Sequence, residues 1–208
     1  MIPDDDTLTR EGLTAKGDGK ILLLACGALA REILAVQKAN KLDHMVLSCL
    51  PAIYHNTPDK IVPAVRAAVE KHRDDYTQIF VVYADCGTGG LLQAACAEMD
   101  VEMVAGPHCY SFFEGNDTFE ARDEITAFYL TDFLVRQFDA FVTKPLGLDR
   151  HPQLRDMYFE HYEKLVYQAQ TRDPALEAKA QKCAEALGLP YEYRFTGYGD
   201  LETRLTKL

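Results

Sequence analysis

With 208 residues and a hydrophobic fraction of 48%, the chain can bury one ordinary core, or one core with a helical appendage. Its formal net charge of −10 repels phosphate backbones and anionic lipid, which argues against nucleic acid and membrane as partners and favours a small-molecule substrate. The apolar runs fall far short of the ~20 residues a bilayer requires, and the acidic run Asp4, Asp5, Asp6 is the opposite of a secretory signal's basic start, so a cytoplasmic protein with reduced cysteines is expected.

Residues 1–18 read as a flexible leader and 19–208 as a single α/β domain, with a parallel-sheet core over 19–115, a helical part over 116–188, and a final strand and tail over 189–208. Short apolar runs at 20–25, 45–50, 79–84 and 101–105 read as strands. Between them, helical patterns at 28–40, 60–73 and 91–99 imply right-handed crossovers and parallel pairing. The expected fold is an open, mostly parallel α/β sheet of four to five strands flanked by helices, with a helical C-terminal half. In that half, 124–142 and 152–170 read as long helices and 174–187 as a third, ended by Gly188 at a C′ position. Residues 191–195 read as the last strand.

Chemistry concentrates at the carboxyl ends of the predicted strands, where open α/β sheets bind ligands. Cys26 follows the first strand, Cys86 the third, and Cys109 the fourth after the turn Gly106–Pro107–His108. Thiolates are soft donors suited to zinc or an iron–sulfur cluster, and three of them leave one coordination position open. His108, beside Cys109, is one candidate fourth ligand, with His55 and Glu114 as the others. His55, Glu114 and Asp85 are candidates for acid–base work beside the metal. The turn Asp85–Gly90 brings backbone N–H groups to a helix start, so Gly87, Thr88 and Gly89 are candidate contacts to an anionic cofactor or substrate, with Arg31 on the first helix as a further cation. Cys49 falls within the second apolar run, and Cys96 and Cys183 fall on helical patterns, where packing is the expected role.

Taken together, ACGALAREI (25–33), LPAIYHNTP (50–58), DCGTGG (85–90), GPHCYSFFEG (106–115), TAFYLTDFLVRQFD (126–139), LGLDRHPQLRDMYF (146–159) and GYGDLETRL (197–205) resemble the family labelled domain of unknown function 1638. The resemblance implies a setting rather than a mechanism: members accompany corrinoid-dependent methyltransferase systems for methylated amines. A corrinoid protein or methyltransferase subunit is therefore the implied partner. The expectation is a metal-thiolate protein of one-carbon metabolism, with zinc or a [4Fe–4S] cluster held by Cys26, Cys86 and Cys109, assisting or catalysing methyl transfer. Two alternatives stand beside it. One is a metal-free enzyme using two cysteines, as racemases of the aspartate/glutamate type do, which Cys26–Gly27 and Cys86–Gly87–Thr88 resemble in outline. The other is a non-catalytic partner of a corrinoid methyltransferase.

Overall fold

A computed structural model of the chain describes residues 4–208. These fall into two compact units, one built from residues up to Phe112 together with Asp200–Leu208, the other from Phe113–Gly199. Each carries its own parallel sheet.

The first unit opens with helix α1 (Asp5–Arg10), whose N-cap Asp4 accepts from the Thr7 N–H at 2.9 Å and which buries Leu8 completely. Within the leader expected over 1–18, α1 is helical and Leu13 exchanges two backbone hydrogen bonds with Cys49. Residues 1–3 of that leader lie outside the described residues. Strand β1 (Ile21–Cys26) is buried along its whole length, which suits a central strand covered on both faces. Helix α2 (Ala30–Asn40) leads to β2 (Met45–Leu50), then α3 (Ile61–His72), β3 (Gln78–Val82), α4 (Leu91–Glu98) and the short β4 (Glu102–Met103). The sheet order is β2-β1-β3-β4, all parallel, as the alternating pattern predicts. Gly27 permits a close approach: a Cβ there would stand 2.4 Å from the Leu8 carbonyl oxygen.

The single turn α5 (Ser111–Glu114) and helix α6 (Asn116–Arg122) precede the second sheet. Here the structure departs from the expected helical half. Residues 124–142 are not one helix but β5 (Ala127–Thr131), the short α7 (Asp132–Arg136), capped by the Thr131 hydroxyl accepting from the Leu134 N–H at 3.3 Å, and a π-turn over Asp139–Thr143. Residues 152–170 likewise divide into α8 (Leu154–Phe159) and β6 (Lys164–Ala169). Helix α9 (Pro174–Leu187) and strand β7 (Tyr191–Phe195) fall where the sequence places them. The order is β5-β6-β7, again all parallel. Helix α10 (Gly199–Leu205) closes the chain, and its Arg204 pairs with Glu102 and lies over the Phe80 ring at 4.9 Å within the first unit.

Candidate functional site

The site grows from the carboxyl end of the first sheet. Cys26 is the last residue of β1 and pairs in register with Leu50, so its side chain shares a sheet face with Leu22 and Leu24. Because Val82 pairs with Ala25, the next residue along, Tyr83, comes to the same face as Cys26, whereas Cys49, in register with Ala25, points to the other. The Tyr83 hydroxyl is buried and makes no hydrogen bond of ordinary length, yet it faces Cys26 closely enough to ease that thiol's ionisation slightly. Burial first, then the neighbouring Cys26 and Cys109, push the Tyr83 phenol well above its usual range.

Beyond Tyr83 the chain turns sharply, and the Asp85 carboxylate organises the turn. It accepts from the Gly90 N–H at 2.6 Å, the Gly89 N–H at 3.1 Å and the Thr88 hydroxyl at 2.9 Å. These bonds, that from Gly90 foremost, hold the Asp85 carboxyl below its ordinary range despite some burial, with the Gly87 N–H contributing. The turn places Cys86 in the left-handed region, at φ +47°. Main-chain bonds from Asp85 N–H to Gly106 O (3.2 Å) and from Cys86 N–H to Pro107 O (3.4 Å) tie this turn to the one that carries His108 and Cys109.

The tie brings two sulfurs together: Cys86 Sγ and Cys109 Sγ stand 3.0 Å apart. Either sulfur can donate in this contact. The hydrogen bond with Cys109 lowers Cys86 well below the ordinary thiol range against the opposing effect of burial, and a hydrogen bond and positive charge from His55 add to the lowering. Cys109 moves the other way, through its bond with Cys86 first and burial second. Cys26 is pushed up to about 12, mainly by burial and then by the negative charge on Cys86, so it stands as a thiol. His108 is held below the ordinary histidine value, by burial above all, and its ring stacks on Tyr110 with centroids 4.8 Å apart.

The residues expected at the site therefore divide. Cys86 and Cys109 are in contact, His55 bonds Cys86, and Cys26 and His108 lie within their electrostatic reach. As the side chains stand, no three Cys, His, Asp or Glu groups among the described residues converge closely enough to hold a metal ion. Asp85 organises the turn, and the donors of Gly87, Thr88 and Gly89 point to its carboxylate. Arg31 donates to Asp5 at 2.7 Å, joining α2 to α1 rather than reaching toward a ligand. Glu114 belongs to the second unit, where it pairs with Arg122 and with Arg194 at 3.2 Å and accepts from Gln168 at 3.1 Å. Tyr83 was missed by reading the sequence for soft donors, although strict alternation from Ile79 onward places it beside Cys26. Cys96 and Cys183 are buried on α4 and α9, as packing residues would be.

Fold and site together define an α/β protein with two parallel sheets and a close thiol pair at the carboxyl rim of the first. The chain belongs to the family of proteins of unknown function designated DUF1638, whose family model matches residues 49–205. His55, Cys86, His108 and Cys109 lie inside that match; Cys26 and the segment 25–33 lie outside it. No curated protein and no solved structure matches the chain. No helix among the described residues is long and apolar enough to cross a membrane.

Proposed function

We propose that this protein is a soft-metal thiolate protein of one-carbon metabolism, acting in the cytoplasm, with Cys86 and Cys109 as its primary donors. The observation that carries the reading is the 3.0 Å contact between these two sulfurs, brought from separate turns to one rim. A second feature supports it. Cys26 and Cys109 are both disfavoured as thiolates by burial and by the charge already on Cys86, and a soft cation would relieve both at once. Cys26, His55 and His108, each electrostatically coupled to Cys86, are the candidates to complete a coordination shell, because zinc or a [4Fe–4S] cluster takes further sulfur or imidazole donors. Such a centre supplies Lewis acidity and a thiolate-stabilising charge. The family resemblance supports a corrinoid protein or methyltransferase subunit as its partner and a small methylated substrate.

A second reading has its own observation. Two sulfurs on one tetrahedral zinc stand about 3.8 Å apart, so the 3.0 Å pair is tighter than a metal would hold it. A metal-free centre, with Cys86 as base, lowered by its hydrogen bond with Cys109, and the Cys26 thiol as acid, needs no widening of that contact. Anaerobic purification followed by metal and acid-labile sulfide quantification separates the two. The metal reading expects about one zinc or one cluster per chain, falling at least several-fold in Cys86→Ser and Cys109→Ser. An anaerobic preparation that carries neither metal nor sulfide, or full metal occupancy in both single variants, overturns it.

A further inference from the structure

The closeness of the two rim sulfurs has a consequence separate from metal binding. A disulfide has its sulfurs about 2.05 Å apart. Cys86 and Cys109, both free thiols, are at 3.0 Å, so closing the bond takes a movement of roughly 1 Å. The turns that carry them are already joined by the bonds from Asp85 to Gly106 and from Cys86 to Pro107, which hold the two ends side by side. Cys86 is buried and Cys109 is half-exposed only as a whole residue, which restricts the pair to small oxidants. Cys96 and Cys183 are buried on helices and act as internal controls.

We propose that Cys86 and Cys109 form a reversible disulfide in response to hydroperoxides, so that this pair is a redox modification site. It rests on the reading of these two sulfurs as the working groups of the rim, and it needs no metal. One sulfur attacks a peroxide oxygen, the O–O bond breaks, and an alcohol or water departs, leaving a sulfenic acid. The second sulfur then attacks the first, the S–O bond breaks, and water leaves with the remaining thiol proton. Two thiols and one hydroperoxide become a disulfide, an alcohol or water, and a further water; two electrons pass from sulfur to the peroxide. Thiol reductants reverse the change. The oxidised pair has no free thiolate, so it also withdraws both donors from any soft metal.

The test is made on the full chain after chelator treatment, exposed to hydrogen peroxide, alkylated and mapped by mass spectrometry without reduction. The expected product is a cross-linked peptide pair containing Cys86 and Cys109, lacking two hydrogens and released by dithiothreitol. Alkylation of both residues should fall about tenfold while that of Cys96 and Cys183 is unchanged. In Cys109→Ser, Cys86 should be trapped by dimedone as the sulfenic acid instead of cross-linking. Continued alkylation of Cys86 and Cys109 after peroxide, or a cross-link from Cys86 to Cys26, overturns the proposal. Metal content measured on the same preparation keeps the two ideas apart. A chain that never binds metal but forms this cross-link sinks the metal reading alone, and one that binds metal but does not cross-link when stripped sinks the disulfide alone.

Discussion

Asp85 shows how one side chain can look catalytic in sequence and be architectural in space. Its carboxylate serves as the internal anion of the turn that a ligand was expected to fill, and it collects the Gly89 and Gly90 N–H groups and the Thr88 hydroxyl. Asp85→Ala should leave these donors without their acceptor and cost about 1–3 kcal/mol in urea denaturation, with Asp85→Asn closer to wild type because its amide oxygen still accepts. Gly27 carries a different constraint. A methyl group 2.4 Å from the Leu8 carbonyl must displace α1, so Gly27→Ala should destabilise by about 1–3 kcal/mol, read as a lower denaturation midpoint. At Cys86 the expectation is kinetic: with its thiol lowered from the usual 9.0 by Cys109 and His55, alkylation should stay fast as the pH falls through neutrality. His55→Ala should move the midpoint of that pH profile upward, and an unmoved midpoint would remove His55 from the site.

Among the elements, the two misread strands are the instructive cases. β5 and β6 are buried on nearly every residue, so neither shows the apolar–polar alternation of a half-exposed strand, and an apolar run of this kind cannot be distinguished from a buried helix by periodicity. β6 is the middle strand of its sheet, and Leu165, Val166 and Tyr167 are fully buried. Leu165→Ala should cost about 2–5 kcal/mol by chemical denaturation, through lost burial and the cavity left behind. Asp132, just past β5, is also fully buried and accepts from the Tyr167 hydroxyl at 2.7 Å, the Gln170 N–H at 3.1 Å and the Thr171 N–H at 3.0 Å, bracing the ends of β5 and β6. α9 was legible for the opposite reason, since its signals are local. Asp173 caps it by accepting from the Ala175 and Leu176 N–H groups, Pro174 stands in its first turn, and Gly188 ends it at φ +71°.

Across the whole molecule, the sulfur chemistry sits on the first unit and a charge network on the second. In the latter, Glu114, Glu124 and Glu192 are paired with Arg194, and Lys164 with Glu124 and Glu192. Burial alone would raise the Glu124 carboxyl, but bonds from Arg194, Lys164 and Tyr129 outweigh it and hold the group at about 2, against an ordinary 4.5. A carboxylate lowered by folding stabilises the folded state above its unfolded value, and that contribution is lost as the pH falls from 4.5 toward 2. The melting temperature should therefore decline through this window, and the decline should be shallower in Glu124→Gln. Equal slopes in the two proteins would show that the network does not stabilise the second unit. The net charge of −10 adds a solubility argument and no information about fold.

The sequence alone determined the alternation of β1 to β4 with helices, their parallel order of travel, the limits of α9 and β7, and the presence of Cys26, Cys86 and Cys109 at strand ends, because each of these follows from local pattern or from the chain direction of a parallel sheet. Only the tertiary structure decided that the C-terminal half forms a second sheet, that Asp85 and Arg31 are occupied by partners within the fold, and that Cys86 meets Cys109. Burial on both faces erases the pattern that marks a strand. The distance between side chains on separate turns depends on backbone ties such as Cys86 to Pro107, which no local stretch of residues encodes by itself.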